Sequence, residues 1–143
     1  MTFDISVESG PLAVRQALEK VFAALAPWEL DVEEKGTIEL VLAEAMNNIV
    51  EHAYPDPDAG GLIEVSAEAQ SNGLQFHIRD FGKPMPNGQA PLGMQANLDV
   101  DTMDLPEGGF GWFLIRDLAK DVEYSRDGSA NHLSLRLAIT RTS

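Results

Sequence analysis

Between Ile38 and Ala53 the apolar residues Ile38, Val41, Leu42, Ala45, Met46, Ile49, Val50 and Ala53 recur at steps of three and four without a break. Such a stripe runs along one face of a helix of about four turns, and a second layer must cover it. Asp31 with Glu34 three residues on is a capping-box-like start, although Gly36 weakens the first turn and moves the expected start toward Thr37. Pro55 restricts the residue before it, and residues 56–61 read Asp-Pro-Asp-Ala-Gly-Gly, so the helix is expected to end at Tyr54.

The covering layer is legible as segments of period two. Phe3, Ile5 and Val7 alternate with polar neighbours over residues 2–8. Ile63, Val65 and Ala67 do the same before Ser71-Asn72-Gly73, and Leu74, Phe76 and Ile78 after it, which predicts an antiparallel hairpin. Val122 and Tyr124, the turn Arg126-Asp127-Gly128, and Leu133, Leu135, Leu137 and Ile139 predict another. A first helix is expected from Ser9-Gly10-Pro11 to Pro27, carrying Val14, Leu18, Val21, Phe22 and Leu25. A third is expected to follow Gly108 with Phe113, Leu114 and Leu118 and to end near Lys120. Residues 82–108 lose long periodicity and contain four prolines, and so long an irregular segment in a small domain reads as a lid or a disordered insert. The order β-α-α-β-β-lid-α-β-β implies an α+β two-layer sandwich, a mostly antiparallel sheet with helices on one face, in a single domain spanning residues 1–143.

Charge narrows the ligands. Ten Lys+Arg against 23 Asp+Glu leave a net charge of −13, which repels nucleic-acid phosphates and anionic membranes. An anionic ligand would therefore have to be held by backbone amides and a metal ion. With no cysteine, disulfides and thiolate metal sites are excluded. Met1–Gly10 lacks a basic start and a long apolar run, and nowhere is there an apolar stretch near the roughly 18 residues of a spanning helix. A soluble cytoplasmic protein with neither membrane nor direct nucleic-acid partner is the expectation.

Three groups of residues carry chemistry. Glu44, Asn48 and His52 lie at i, i+4 and i+8 and share a polar edge beside the apolar stripe, which is also how an ordinary solvated helix edge would look. Asp80-Phe81-Gly82-Lys83-Pro84 follows a strand. Gly109-Phe110-Gly111 opens a helix, where free N–H groups and the positive dipole end suit phosphates.

Leu42-Ala43-Glu44-Ala45-Met46-Asn47-Asn48-Ile49-Val50-Glu51-His52-Ala53-Tyr54 resembles the N box of the ATPase superfamily shared by gyrase, the heat-shock chaperone, sensor histidine kinases and the mismatch-repair ATPase. Within it, the Glu-x-x-x-Asn start and His-Ala-Tyr ending are most similar to the bacterial anti-sigma-factor serine/threonine kinases. Residues 80–84 resemble the first glycine box and residues 109–116 the second, and the Asp121–Tyr124 and Asn131–Leu135 segments also fit.

The resemblance implies a nucleotide-binding histidine-kinase-like ATPase fold and a role for each matching position. Asn48 would ligate a Mg²⁺ bridging the phosphates of ATP. Asp80 would accept a hydrogen bond from the adenine amino group, Gly82 would let the base approach the backbone, and Ser134 stands where the family often has Thr or Ser near adenine. Gly109 and Gly111 would turn the chain beneath the phosphates, with residues 83–108 as a mobile ATP lid. Glu44 would be the general base for an attacking serine hydroxyl. The function implied is a Mg-ATP-dependent serine/threonine protein kinase and anti-sigma regulatory factor, with a sigma factor and an anti-anti-sigma protein as partners; an ATP-dependent protein-binding module without phosphoryl transfer is the alternative. Oligomeric state is left open, a homodimer included.

Overall fold

The computed structural model describes residues 2–54, 61–84, 115 and 117–139. The chain begins with strand β1 (Thr2–Glu8), followed by helices α1 (Ala13–Leu25) and α2 (Val32–Asn48). Strands β2 (Leu62–Gln70), β3 (Gly73–Asp80), β4 (Lys120–Asp127) and β5 (Ala130–Leu137) follow. The five strands form one sheet in the order β1-β2-β3-β5-β4, every neighbouring pair antiparallel. The α+β expectation holds.

Alternation along each strand divides the sheet into an inner and an outer face. Ile63, Val65 and Ala67 of β2, Leu74, Phe76 and Ile78 of β3, and Leu133, Leu135 and Leu137 of β5 are buried on the inner face. They pack in one core with Ala13, Ala17, Val21 and Leu25 of α1 and with Ile38, Val41, Leu42, Ala45 and Met46 of α2. Each fully buried large side chain contributes about 1.5–3 kcal/mol, so this layer contact is the main source of stability. Glu64, His77, Arg79, His132 and Ser134 fall in the opposite phase, on the outer face.

Helix α2 starts earlier than Gly36 suggested. Asp31 accepts from the Glu34 backbone at 2.7 Å and the Glu34 carboxylate accepts from the Asp31 N–H at 3.1 Å, a reciprocal cap that outweighs the glycine. Helix α1 starts later than its Ser-Gly-Pro signal, at Ala13, and has no side-chain cap.

The end of α2 also differs from expectation. Regular α-helix stops at Asn48, and Ile49–Ala53 form a π-helical turn closed by Tyr54 N–H to Ile49 C=O at 3.2 Å. Such turns insert one residue into the helical count and recur at functional sites. Of the expected third helix, Ile115, Asp117 and Leu118 are helical, and β4 begins at Lys120 with a bulge before Glu123.

Candidate functional site

Three polar side chains are buried among the described residues: Asn48 (4% exposed), Asp80 (3%) and Asn131 (3%). They come from the end of α2, the end of β3 and the start of β5, and all three line one recess with the apolar side chains of Ala45, Ile49, Ala53 and Leu133 and with Lys83 and Tyr124. Buried polar groups are costly unless bonded, so their bonding pattern is informative.

Asp80 and Asn131 face each other directly across the β3–β5 ladder. Asp80 Oδ1 accepts from Asn131 Nδ2 at 2.8 Å and from the Gly82 N–H at 2.9 Å. No described residue donates to Oδ2. Burial pushes the Asp80 carboxyl above its ordinary range, against the opposing influence of the Asn131 and Gly82 hydrogen bonds and of the nearby Arg126 and His132. Asn131 Nδ2 also donates to the Lys83 carbonyl at 2.9 Å, while its Oδ1 accepts from Tyr124 Oη at 2.6 Å and from Arg126 Nη1 at 3.0 Å.

Asn48 Nδ2 donates to the Glu44 carbonyl one turn back at 2.8 Å. Its Oδ1 accepts no hydrogen bond from any described residue, an orphaned buried acceptor that suits a hard cation.

Gly82 stands at a close backbone contact. A Cβ there would lie 2.2 Å from the Ala53 carbonyl oxygen, and the adjacent Lys83 N–H donates to that same oxygen at 2.9 Å. The glycine therefore lets the β3 exit pack against the π turn, backbone to backbone. Tyr54 closes the same junction: its hydroxyl accepts from the Phe81 N–H at 2.7 Å and donates to the Leu62 carbonyl at 2.7 Å. Burial, and the neighbouring Asp80 charge to a lesser degree, raise the Tyr54 pKa.

Of the residues expected from sequence, Asn48 and Asp80 meet in the recess. Glu44 is half-buried one turn before Asn48 and is not among the residues that line it. Ser134 does not join them. It follows Leu133 and precedes Leu135, both inward, so it lies on the outer face opposite His77, and Asn131 occupies the position facing Asp80. Gly109, Gly111 and residues 85–108 of the expected lid lie outside the described residues. His52 is exposed within the π turn, and its nearest charge partner is Glu51 at 4.0 Å. The residues that sequence reasoning missed are Asn131, Tyr124, Arg126 and Tyr54. Asn131 carried a readable signal, since it continues the inward phase of Leu133, Leu135 and Leu137, as Asp80 continues that of Leu74, Phe76 and Ile78.

An antiparallel sheet covered on one face by helices, with a carboxylate and a cation-ready amide in one recess at the helix end, defines an α+β domain of the nucleotide-binding ATPase type. The family model of the histidine kinase-like ATPase domain matches residues 7–137, and the chain belongs to that family. It is 33% identical over 99 residues to the serine-protein kinase RsbW of Halalkalibacterium halodurans, covering 68% of this chain and 57% of that protein. To the serine-protein kinase RsbW of Staphylococcus aureus it is 28% identical over 114 residues, covering 76% of this chain and 67% of that protein. Among solved structures, that of the RsbU and RsbW domains of Rv1364c from Mycobacterium tuberculosis shares the fold, with a TM-score of 0.65 at 17% identity over 98% of this chain and 33% of the other. Among the described residues no helix is long and apolar enough to cross a membrane.

Proposed function

We propose that this domain binds Mg-ATP and is a serine/threonine protein kinase that acts as an anti-sigma regulatory factor on an anti-anti-sigma partner. The observation that carries the nucleotide site is that Asp80 and Asn48, each with a side-chain oxygen to which no described residue donates, line one recess. Asp80 would accept a hydrogen bond from the adenine amino group, and Asn48 would supply one oxygen ligand to a Mg²⁺ accompanying the nucleotide. The ion neutralises phosphate charge in a chain whose own net charge is −13. The phosphates fall to the Gly109-x-Gly111 motif. The RsbW relatives support the kinase activity, and Glu44 supplies its base, taking the proton from an incoming serine hydroxyl one helical turn from the metal ligand.

Glu44→Gln separates chemistry from binding. Phosphorylation of the partner serine is expected to fall by about 10²–10⁴-fold while affinity for Mg-ATP stays near wild type. Labelled ATP with purified candidate partners measures the first, and calorimetry the second. Equal phosphorylation rates for the two proteins would remove Glu44 from the mechanism. A second reading has an observation in its favour: Glu44 does not line the recess. If the wild type binds its partner in an ATP-dependent manner but transfers no phosphate, the domain is a nucleotide-controlled binding module.

A further inference from the structure

The amide of Asn131 has five polar neighbours, and together they allow one orientation. On one side stand acceptors, Asp80 Oδ1 at 2.8 Å, the Lys83 carbonyl at 2.9 Å and the Gly82 carbonyl at 3.4 Å. On the other stand donors, Tyr124 Oη at 2.6 Å and Arg126 Nη1 at 3.0 Å. Turning the amide over would set its oxygen against a carboxylate and a carbonyl, and its NH₂ against a guanidinium that can only donate. Arg126 also holds the Gly82 carbonyl at 2.7 Å, so the β4–β5 hairpin grips both the amide and the loop that follows Asp80.

We propose that Tyr124 and Arg126 are positioning residues that fix the Asn131 amide and thereby set which purine the site accepts, a 6-amino base over a 6-oxo base. This rests on the Mg-ATP reading above. With its NH₂ facing Asp80, Asn131 occupies Oδ1 and leaves Oδ2 without a donor among the described residues. A 6-amino group offers a hydrogen to that oxygen. A 6-oxo group presents a second acceptor to it, and an unpaired polar contact in a dry site is a strong basis for rejection. When the amide is free to turn, it can set its own oxygen against Asp80, and the carboxylate loses the partner that orients it.

The test is the ratio of affinities for Mg-ATP and Mg-ITP, in which phosphate and metal contributions cancel. Wild type is expected to prefer ATP, and Tyr124→Phe and Arg126→Gln to lower that ratio by about five- to tenfold each, the share of one hydrogen bond to the hub. Arg126→Lys, which keeps a cationic donor, is expected to restore part of it. A purely structural role would weaken both nucleotides together and leave the ratio unchanged, and that result overturns the proposal. Arg126 is exposed, so its variants keep the test open should Tyr124→Phe fail to fold. Wild type that binds neither nucleotide would overturn the Mg-ATP reading, and this inference with it. A wild-type ATP preference that depends on Asp80 but survives both substitutions would overturn this inference alone.

Discussion

The β3–β5 strand pair carries a polar side-chain contact on each of its two faces, and the two are built in opposite ways. On the inner face Asp80 meets Asn131 in direct register, both almost fully buried, each bonded on several sides. On the outer face His77 Nε2 meets His132 Nδ1 at 3.0 Å, with the rings stacked 6° from parallel, partly exposed and beside the Glu64–Arg79 ion pair. Water can serve the outer pair wherever the protein does not. The inner pair has only the protein, yet one carboxylate oxygen there is left without a donor among the described residues. Folding gains nothing from that vacancy, because burial already opposes the charge on Asp80. On the proposed reading the inner network is a binding surface held at some expense of stability, whereas the outer one is an ordinary sheet decoration.

Substitutions can break this contrast. The largest effect is expected from Asp80→Asn, which should cost about tenfold to a hundredfold in affinity for Mg-ATP, the share of one charge-assisted hydrogen bond. His77→Gln on the other face should leave calorimetric binding unchanged. The same Asp80→Asn protein should be at least as stable as wild type at neutral pH when empty. An acid with a raised pKa contributes stability that is full below the ordinary aspartate range and is lost as pH rises through the raised value. Removing the charge removes that loss, and the new amide oxygen can still accept from Asn131 and Gly82. Denaturant melts between pH 4 and 8 would show it, and a large drop in stability at pH 7 would mean that the charge is structural.

Gly82→Ala comes next. Its methyl would meet the Ala53 carbonyl at 2.2 Å, and displacing backbone there should cost about 1–3 kcal/mol in urea unfolding. An unchanged midpoint would show that the junction is loose. The smallest effect belongs to the outer face. Burial, then His132 and Arg79, lower the His77 pKa, so wild type should lose stability as pH falls below the ordinary histidine value of about 6.5. His77→Gln should flatten that limb of the profile. Identical acid limbs in the two proteins would remove His77 as its source.

Much of the architecture could be read from pattern alone. The stripe on α2 and the two alternating hairpins specify a helix layer on a sheet, and the Asp31–Glu34 cap fell where local chemistry placed it. The assignments at Ser134 and Gly82 came from motif position rather than from phase or packing. Ser134 sits between two inward leucines and so points outward, a fact already present in the alternation. The close approach of Gly82 to Ala53 joins segments 29 residues apart, and no local rule reports it. The π turn was hidden for a similar reason. Apolar steps of three and four continue across it unchanged, while its terminal carbonyl bonds to Lys83 from the far end of β3.

That junction also acts as a gauge of length. Ala53 ends the segment that carries Asn48, and Gly82 leaves the strand that carries Asp80, so the contact between their backbones ties the two acceptors to one rigid frame. On the proposed reading, the span from purine to metal is therefore set by the protein before any nucleotide arrives. A ligand must match that span as well as the chemistry at each end.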